Sequence, residues 1–262
     1  MKKAIWLSLL LLCIGAIGFT AQAQPSGKET VKKMKVDEFF ADRDGTFVLR
    51  DMKNGQTFVY NQKRAQERRT PESTYKVPHA LIGLQVKAVQ DEYDVKWWDG
   101  VVRKIDAWNR DHTLGSGMRN SVVWYYQAMA RDIGEKRMKE WVQKLSYGNQ
   151  DISGGIDQFW LNSSLAISAL EQTDFMEKLY KEELPFDKAV MKTGKRMMIQ
   201  QEEDDYTLYG KTGTRSDNGL GWFVGFVDGG DRSYAFATNV DGTGTQAKNI
   251  TFDILKKYHI IK

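Results

Sequence analysis

The chain has 262 residues, of which 41% are hydrophobic and 27% charged, a composition typical of globular proteins rather than disordered or fibrous ones. The formal net charge of +4 is small for this length, and no long basic run indicates a nucleic-acid-binding protein. The three histidines are widely spaced and form no cluster of the kind that metallo-hydrolases use. We therefore expect neither a nucleic-acid partner nor a metal site.

Residues 1–23 have the three parts of a secretory signal peptide. Lys2 and Lys3 are followed by an apolar run, and a small-x-small cleavage site ends at Ala23. The apolar run is about 15 residues long, short of the roughly 20 that a membrane span needs, so we favour cleavage over an uncleaved anchor. Cys13, the only cysteine, lies inside this segment. We predict a mature chain without disulfides or a stable membrane anchor, exported across the inner membrane to the periplasm.

The first folded element predicted is a β-hairpin over residues 47–61, after a polar, lysine-rich lead-in over residues 24–37. Two runs rich in Thr, Phe, Val and Tyr flank Asn54-Gly55, and Asn-Gly is the strongest short hairpin signal. The pattern then changes, because apolar residues recur at helical spacing between about residues 81 and 184. The predicted helical segments are 81–89, 119–131, 135–145 and 164–181.

Strand patterns return near the end of the chain, at residues 206–211, 222–227 and 234–239, and residues 246–257 predict a closing helix. Strands at both ends around a helical middle predict an α+β fold. In it, an antiparallel β-sheet is formed from N- and C-terminal segments and flanked by helices, with a mainly helical region inserted at about 81–184. We expect residues 24–262 to form a single domain.

Ser73-Thr74-Tyr75-Lys76 is the first motif that predicts chemistry. A serine hydroxyl is a poor nucleophile until a neighbouring group removes its proton. Positions i and i+3 of a helix share a face, so the Lys76 amine can reach the Ser73 hydroxyl. Free N–H groups at a helix start also favour negative charge and can serve an oxyanion hole. The tetrapeptide alone is a weak signal and is more typical of a serine that caps a helix.

The second motif, Lys211-Thr212-Gly213 followed by Thr214, lies on a predicted strand. Lys211 would present a positive charge to an anionic substrate, and Gly213 would allow a ligand to approach the backbone closely. The N–H of Thr214 is a candidate second oxyanion donor. S-x-x-K and K-T-G together are a joint signature of penicillin-recognising serine enzymes.

Further motifs decide between classes of such enzymes, because Ser121-Val122-Val123 stands where another class carries S-D-N. The ordered set resembles the class D (oxacillinase-type) β-lactamases, and its members are Ser73-x-x-Lys76, Ser121-x-Val123, Tyr147-Gly148-Asn149, Trp160 and Lys211-Thr212-Gly213. The resemblance covers essentially the whole mature chain, including residues 159–175 and Trp222-x-x-Gly225. It implies the fold of serine β-lactamases and penicillin-binding transpeptidases, and hydrolysis of the β-lactam ring of penicillin-type antibiotics, which gives resistance.

The resemblance also implies that the general base is Lys76 carboxylated by CO2 or bicarbonate, with no bound cofactor. An amine must lose its proton to react with CO2, and burial in an apolar pocket lowers a lysine pKa. Val123 would supply the apolar surroundings, and the Trp160 indole N–H would donate to the carbamate. Both residues are equally expected in ordinary core packing.

The resemblance assigns the remaining roles. Ser73 is the nucleophile, and the backbone N–H groups of Ser73 and Thr214 hold the oxyanion. Ser121 passes a proton to the leaving nitrogen. The residues expected to contact the substrate are Ser121, Lys211, Thr212, Gly213 and Thr214.

One departure from the family concerns the substrate carboxylate. Many class D enzymes bind it with an arginine after the last strand, but residues 241–248 contain none. Lys211 and Thr212 must bind it instead, with Lys248 or Arg215 as further candidates.

Two alternatives share the serine, the lysine and K-T-G. One is a penicillin-binding transpeptidase or carboxypeptidase, against which Val123 and Trp160 argue. The other is a β-lactam-sensing receptor domain, which would need a multi-span membrane part. The expected partner in each case is a small β-lactam molecule, and the sequence allows a monomer or a homodimer.

Overall fold

A computed structural model describes residues 31–41 and 43–262. The predicted signal peptide and its cleavage site lie outside these described residues. Within the described ranges, no helix combines the length and the apolar character needed to cross a bilayer.

The described chain alternates between a sheet and helices that cover it. The strands are β1 Val31–Lys33, β2 Gly45–Asp51, β3 Gln56–Tyr60, β4 Val95–Lys96, β5 His112–Thr113, β6 Ile199–Glu202, β7 Thr207–Thr214, β8 Gly221–Asp228 and β9 Tyr234–Val240. The helices are α1 Gln62–Gln66, α2 Lys76–Gln85, α3 Leu114–Arg119, α4 Val123–Ile133, α5 Glu135–Lys144, α6 Ala169–Tyr180, α7 Lys188–Met197 and α8 Gly244–Lys257. Short 3₁₀ turns span Asp37–Phe39, Glu72–Tyr75 and Asp106–Trp108.

Seven strands form the main sheet, in the order β1-β3-β2-β9-β8-β7-β6. All neighbouring pairs are antiparallel except β1, which runs parallel to β3. β2 pairs with β9 along its whole length, so the two ends of the chain meet at the centre of the sheet. This confirms the predicted α+β fold and the hairpin at Asn54-Gly55, whereas β1 was not predicted within the polar lead-in.

Both faces of the sheet are covered. On β8, Trp222 and Val224 join the apolar core beneath the helical region, whereas Phe223 joins a second core under α8. Successive side chains of a strand point to opposite faces, so a strand buried on both sides becomes a continuous apolar run. The segment 222–227 shows this pattern, and the helices therefore form a layer on each side of the sheet.

Two helices begin later than the sequence predicts. The predicted helix 119–131 begins at Val123, because Ser121 has a left-handed backbone (φ 56°) that separates α3 from α4. The predicted helix 164–181 begins at Ala169, where the Ser168 hydroxyl accepts from the Glu171 N–H and Glu171 bonds back in a capping box. The first difference matters for the site, since it places Ser121 in a turn rather than on a helix face.

The helical region meets the sheet where the turn Glu72–Tyr75 packs against β7. Gly213 allows this close approach, because a Cβ there would lie 3.0 Å from the Pro71 carbonyl oxygen and 3.2 Å from the Thr74 nitrogen. The two predicted motifs are therefore brought together by direct contact between the serine-bearing turn and the K-T-G strand.

Candidate active site

Ser73 lies on the short 3₁₀ turn that leads into α2, and Lys76 is the first residue of that helix. The Lys76 amine contacts the Ser73 hydroxyl, with 2.9 Å between Nζ and Oγ. Ser73 is half-buried, whereas Lys76 has no exposed surface. The spacing i, i+3 thus produces the predicted nucleophile–base contact.

The surroundings of Lys76 favour its neutral amine. Burial, assisted by the nearby charge of Lys211, holds the pKa of Lys76 well below its ordinary value, and the Glu72 carboxylate opposes this shift. The amine lies 5.2 Å from the ring centre of Tyr126, one turn along α4. The neutral amine that this shift favours can accept a proton or react with an electrophile such as CO2.

Ser121 and Lys211 form a second contact, at 3.0 Å between the Lys211 amine and the Ser121 hydroxyl. The left-handed turn at Ser121 projects its hydroxyl toward β7, and Lys211 also donates to the Thr212 carbonyl at 2.9 Å. Burial, followed by the charge of Lys248, lowers the pKa of Lys211 to about 7. Ser121 and Lys211 can therefore pass a proton to a bound substrate or take one from it.

The end of β7 continues the site beyond Lys211. Thr212 is half-buried and Thr214 is exposed, and the Thr214 hydroxyl accepts from the Gly244 N–H at 2.8 Å. That bond fixes the strand end to the start of α8. The backbone near Thr214 is held beside the serine-bearing turn, as an oxyanion donor requires.

Trp160 is fully buried, and its indole Nε1 has no hydrogen-bond partner within the described residues. Its ring stacks on Tyr75 at 5.8 Å and meets His79 edge-on at 5.1 Å. A buried donor without an acceptor costs about 1–3 kcal/mol, and such groups often mark a ligand or a modification. Val123 starts α4 and is half-buried, on the same helix as the Tyr126 ring that faces Lys76.

Tyr147-Gly148-Asn149 supports the turn that carries Ser73. The Tyr147 hydroxyl donates to Gln172, whose amide donates to the Thr74 hydroxyl at 2.8 Å, next to Ser73. Gly148 has a φ of 54°, and a Cβ there would lie 2.1 Å from a backbone oxygen. The motif therefore acts through packing and hydrogen bonding, a role that its sequence alone did not specify.

Two buried ionisable residues next to the motifs were not singled out by the sequence. Glu72 directly precedes Ser73 and is only 2% exposed. His79 has no exposed surface, and burial, with the charge of Lys76, lowers its pKa to about 3, so it is neutral near pH 7. The only available signal was their position: Glu72 lies one residue before the S-x-x-K motif and His79 three residues after it. Position alone does not indicate burial.

The candidates for the missing arginine already have partners. Arg215 contacts Asp217 at 2.8 Å, and the Lys248 amine donates to Gln200 at 2.7 Å. Lys248 is nevertheless close enough to affect the pKa of Lys211. Across residues 31–41 and 43–262, no three His, Cys, Asp or Glu side chains are grouped to bind a metal ion.

Comparison with known proteins gives a consistent result. Residues 45–257 match the penicillin binding protein transpeptidase domain. The probable β-lactamase YbxI of Bacillus subtilis (strain 168) is 66% identical over 265 residues, covering 100% of this chain and 99% of YbxI. The structure of the class D β-lactamase BAT-2 superposes with a TM-score of 0.86 at 71% identity, covering 87% of this chain and 97% of BAT-2.

A structure of a receptor is also similar. The C-terminal domain of the Bacillus licheniformis BlaR penicillin-receptor has a TM-score of 0.86 at 34% identity, and the match covers 90% of this chain and 99% of that domain. The fold is therefore shared between enzymes and a receptor, whereas the full-length identity is to a probable β-lactamase. The chain belongs to the class D serine β-lactamases, enzymes built on the penicillin-binding protein transpeptidase domain.

Proposed function

We propose that the protein hydrolyses the β-lactam ring of penicillin-type antibiotics through a Ser73 acyl-enzyme and so gives resistance to them. The observation that carries this proposal is the 2.9 Å contact between the Ser73 hydroxyl and a fully buried Lys76 amine. A carboxylated lysine that activates this serine needs both features: a position next to the hydroxyl, and an amine whose lowered pKa allows it to react with CO2. Membership of the class D family supports the substrate class.

The general base is Lys76 carrying a carboxyl group derived from CO2 or bicarbonate. Burial lowers the pKa of Lys76 and so favours the neutral amine that reacts with CO2. The buried indole N–H of Trp160 has no partner among the described residues and is available to donate to an added carboxylate oxygen. Carboxylation supplies a base that takes up a proton and releases it again near neutral pH. The apolar start of α4 at Val123 limits access of water to this base.

In acylation, carboxylated Lys76 removes the Ser73 proton as Oγ attacks the lactam carbonyl carbon. The backbone N–H groups of Ser73 and Thr214 bind the oxyanion. The C–N bond breaks, and Ser121 transfers a proton to the leaving nitrogen, assisted by Lys211 at 3.0 Å. In deacylation the same base activates a water molecule, so that a single base serves both steps.

Substrate binding involves the strand end and the serine turn. Lys211 carries the positive charge that recognises the substrate carboxylate, and Thr212 adds a hydroxyl. Gly213 lets the substrate approach the backbone, where Thr214 contributes its N–H. Lys248 is half-buried and close enough to lower the pKa of Lys211, so it adds positive potential in place of the absent arginine.

The amino-terminal sequence supports a proposal for where the protein acts. The predicted signal peptide supports secretion across the inner membrane to the periplasm, without a stable membrane anchor. The expected partners are small β-lactam molecules, with the protein a monomer or a homodimer.

The similarity to the BlaR penicillin-receptor domain makes a receptor-like protein the second candidate. The two functions differ in deacylation, because a receptor or penicillin-binding protein stays acylated whereas a β-lactamase turns over. The test follows a chromogenic β-lactam with purified mature protein and measures the intact mass of the protein during the reaction. Many turnovers per molecule with a transient mass increase, abolished by Ser73→Ala, support the proposal. A single stoichiometric burst that leaves a stable adduct contradicts it and favours the receptor-like function.

A further inference from the structure

Glu72 joins the serine turn to the loop that carries Trp160. Its carboxylate Oε1 accepts from the Thr70 hydroxyl at 2.6 Å and from the backbone N–H of Asn162 at 3.0 Å. Its own backbone N–H donates to the Trp160 carbonyl oxygen at 3.1 Å. Two hydrogen bonds therefore connect Glu72 to the segment 160–162, one at Trp160 and one at Asn162.

The backbone at both ends of this connection is unusual. Glu72 has a φ of 51° and Asn162 a φ of 46°. Glutamate rarely adopts the left-handed region, and such conformations persist where surrounding contacts hold them. The hydrogen bond between the two residues is such a contact, so Glu72 helps to fix the position of the Trp160 loop.

A carboxylate is not the side chain that costs least free energy to bury for holding this loop. Burying a charged group costs more than burying an amide, and a glutamine oxygen would accept the same two hydrogen bonds. Burial raises the pKa of Glu72, and its two hydrogen bonds and the charges of Arg215 and Lys76 oppose this shift. Glu72 directly precedes Ser73, whose hydroxyl contacts the Lys76 amine, and the Glu72 carboxylate in turn raises the pKa of Lys76. The negative charge therefore has an effect that the hydrogen bonds do not require.

Carboxylation is sensitive to that charge. The Lys76 lone pair attacks the CO2 carbon, a C–N bond forms, and one C=O electron pair moves to oxygen. The nitrogen releases a proton to solvent water by way of the Ser73 hydroxyl, 2.9 Å away. The reaction begins from the neutral amine and ends with an anion. A nearby carboxylate opposes both changes, because it stabilises the ammonium form and repels the product.

We propose that Glu72 is a positioning residue for the carboxylated lysine: it holds the Trp160 loop against the Ser73 turn, and its negative charge limits how tightly Lys76 retains CO2. This inference rests on the proposed function, which supplies the carboxylated base.

The test is a titration of the full mature protein with ¹³C-labelled bicarbonate, in which the carbamate signal is observed by NMR. Glu72→Gln keeps the acceptor and removes the charge, so the half-saturating bicarbonate concentration should fall about threefold or more. Glu72→Ala also loses the hydrogen bonds. Its half-saturating concentration should exceed that of Glu72→Gln, and the Asn162 amide should exchange its hydrogen faster. Glu92→Gln, which removes a carboxylate paired with Arg196, is the matched control and should behave as wild type.

A half-saturating bicarbonate concentration for Glu72→Gln that equals or exceeds that of wild type overturns the electrostatic role. An unchanged rate of amide hydrogen exchange at Asn162 in Glu72→Ala overturns the positioning role. Should Glu72→Gln fail to fold, Thr70→Val removes a hydrogen bond that lowers the pKa of Glu72. The carboxylate is then less ionised, so the half-saturating bicarbonate concentration should fall, as it should for Glu72→Gln. A wild-type protein that shows no carbamate signal contradicts the proposed base itself, and the exchange experiment then still decides the positioning role.

Discussion

Replacement of Trp160 by phenylalanine removes the one indole N–H expected to bind the carboxylated lysine and keeps an aromatic ring in place. The ring contacts with Tyr75 and His79 remain available to phenylalanine. A hydrogen bond to a charged group contributes about 1.5–3 kcal/mol, and about 1.4 kcal/mol is a tenfold change, so Lys76 should bind CO2 about 10- to 100-fold more weakly.

The assay is steady-state hydrolysis of a chromogenic β-lactam across a range of bicarbonate concentrations. Trp160→Phe should need about 10- to 100-fold more bicarbonate for half-maximal turnover and should approach wild-type turnover when bicarbonate is saturating. Trp141→Phe, which changes a half-buried indole stacked on Phe186, is the matched control. A Trp160→Phe enzyme with the bicarbonate dependence of wild type would refute the reasoning, and so would one whose turnover no bicarbonate concentration restores.

Four further predictions follow from the site. Lys76→Met should abolish turnover yet raise the melting temperature at neutral pH without CO2. Burial lowers the pKa of Lys76 in the folded protein, so the stability of the wild type rises with pH between that lowered pKa and the ordinary lysine pKa. The difference in melting temperature between variant and wild type should therefore shrink in melts at higher pH. Because the pKa of Lys211 is lowered to about 7, its charge is lost above that pH, and the KM for a penicillin should rise from about pH 7 upward in a pH series. Ser121→Ala should slow acylation about 10²- to 10⁴-fold in stopped-flow experiments, while Lys76 still carboxylates by NMR. Gly148→Ala should lower the melting temperature, because its Cβ would lie 2.1 Å from a backbone oxygen; an unchanged melting curve contradicts this.

The sequence was most informative where local geometry determines the contact. The i, i+3 spacing of Ser73 and Lys76 predicts their contact before any tertiary structure is known, and the strand pattern at residues 222–227 predicts β8. The pairing of Ser121 with Lys211 joins residues far apart in the chain. The order of the motifs indicated that they share a site, but the hydrogen bond depends on a left-handed turn at Ser121 that the helical pattern obscured.

Other elements were not predicted, for physical reasons. α7 has Lys or Arg at four of its ten positions and buries only Met191, Gly194 and Met197. Its amphipathic spacing is present in the sequence, but its low apolar content left no apolar run to mark it. β6 is a sheet edge whose residues are partly or fully exposed, and it lacks the apolar alternation of a strand. The burial of Glu72 depends on the loop from 159 to 165, which approaches the serine turn only in the folded chain.

The carboxylated Lys76 base is the central claim, and its most direct test is the dependence of turnover on CO2. Purified mature protein is freed of CO2, and hydrolysis of a chromogenic β-lactam is followed from the burst to the steady state before and after bicarbonate is added. The account predicts that sustained turnover falls when CO2 is removed and recovers with bicarbonate. Sustained turnover that is the same with and without bicarbonate would contradict the carboxylated base, and a single burst under both conditions would contradict the hydrolase.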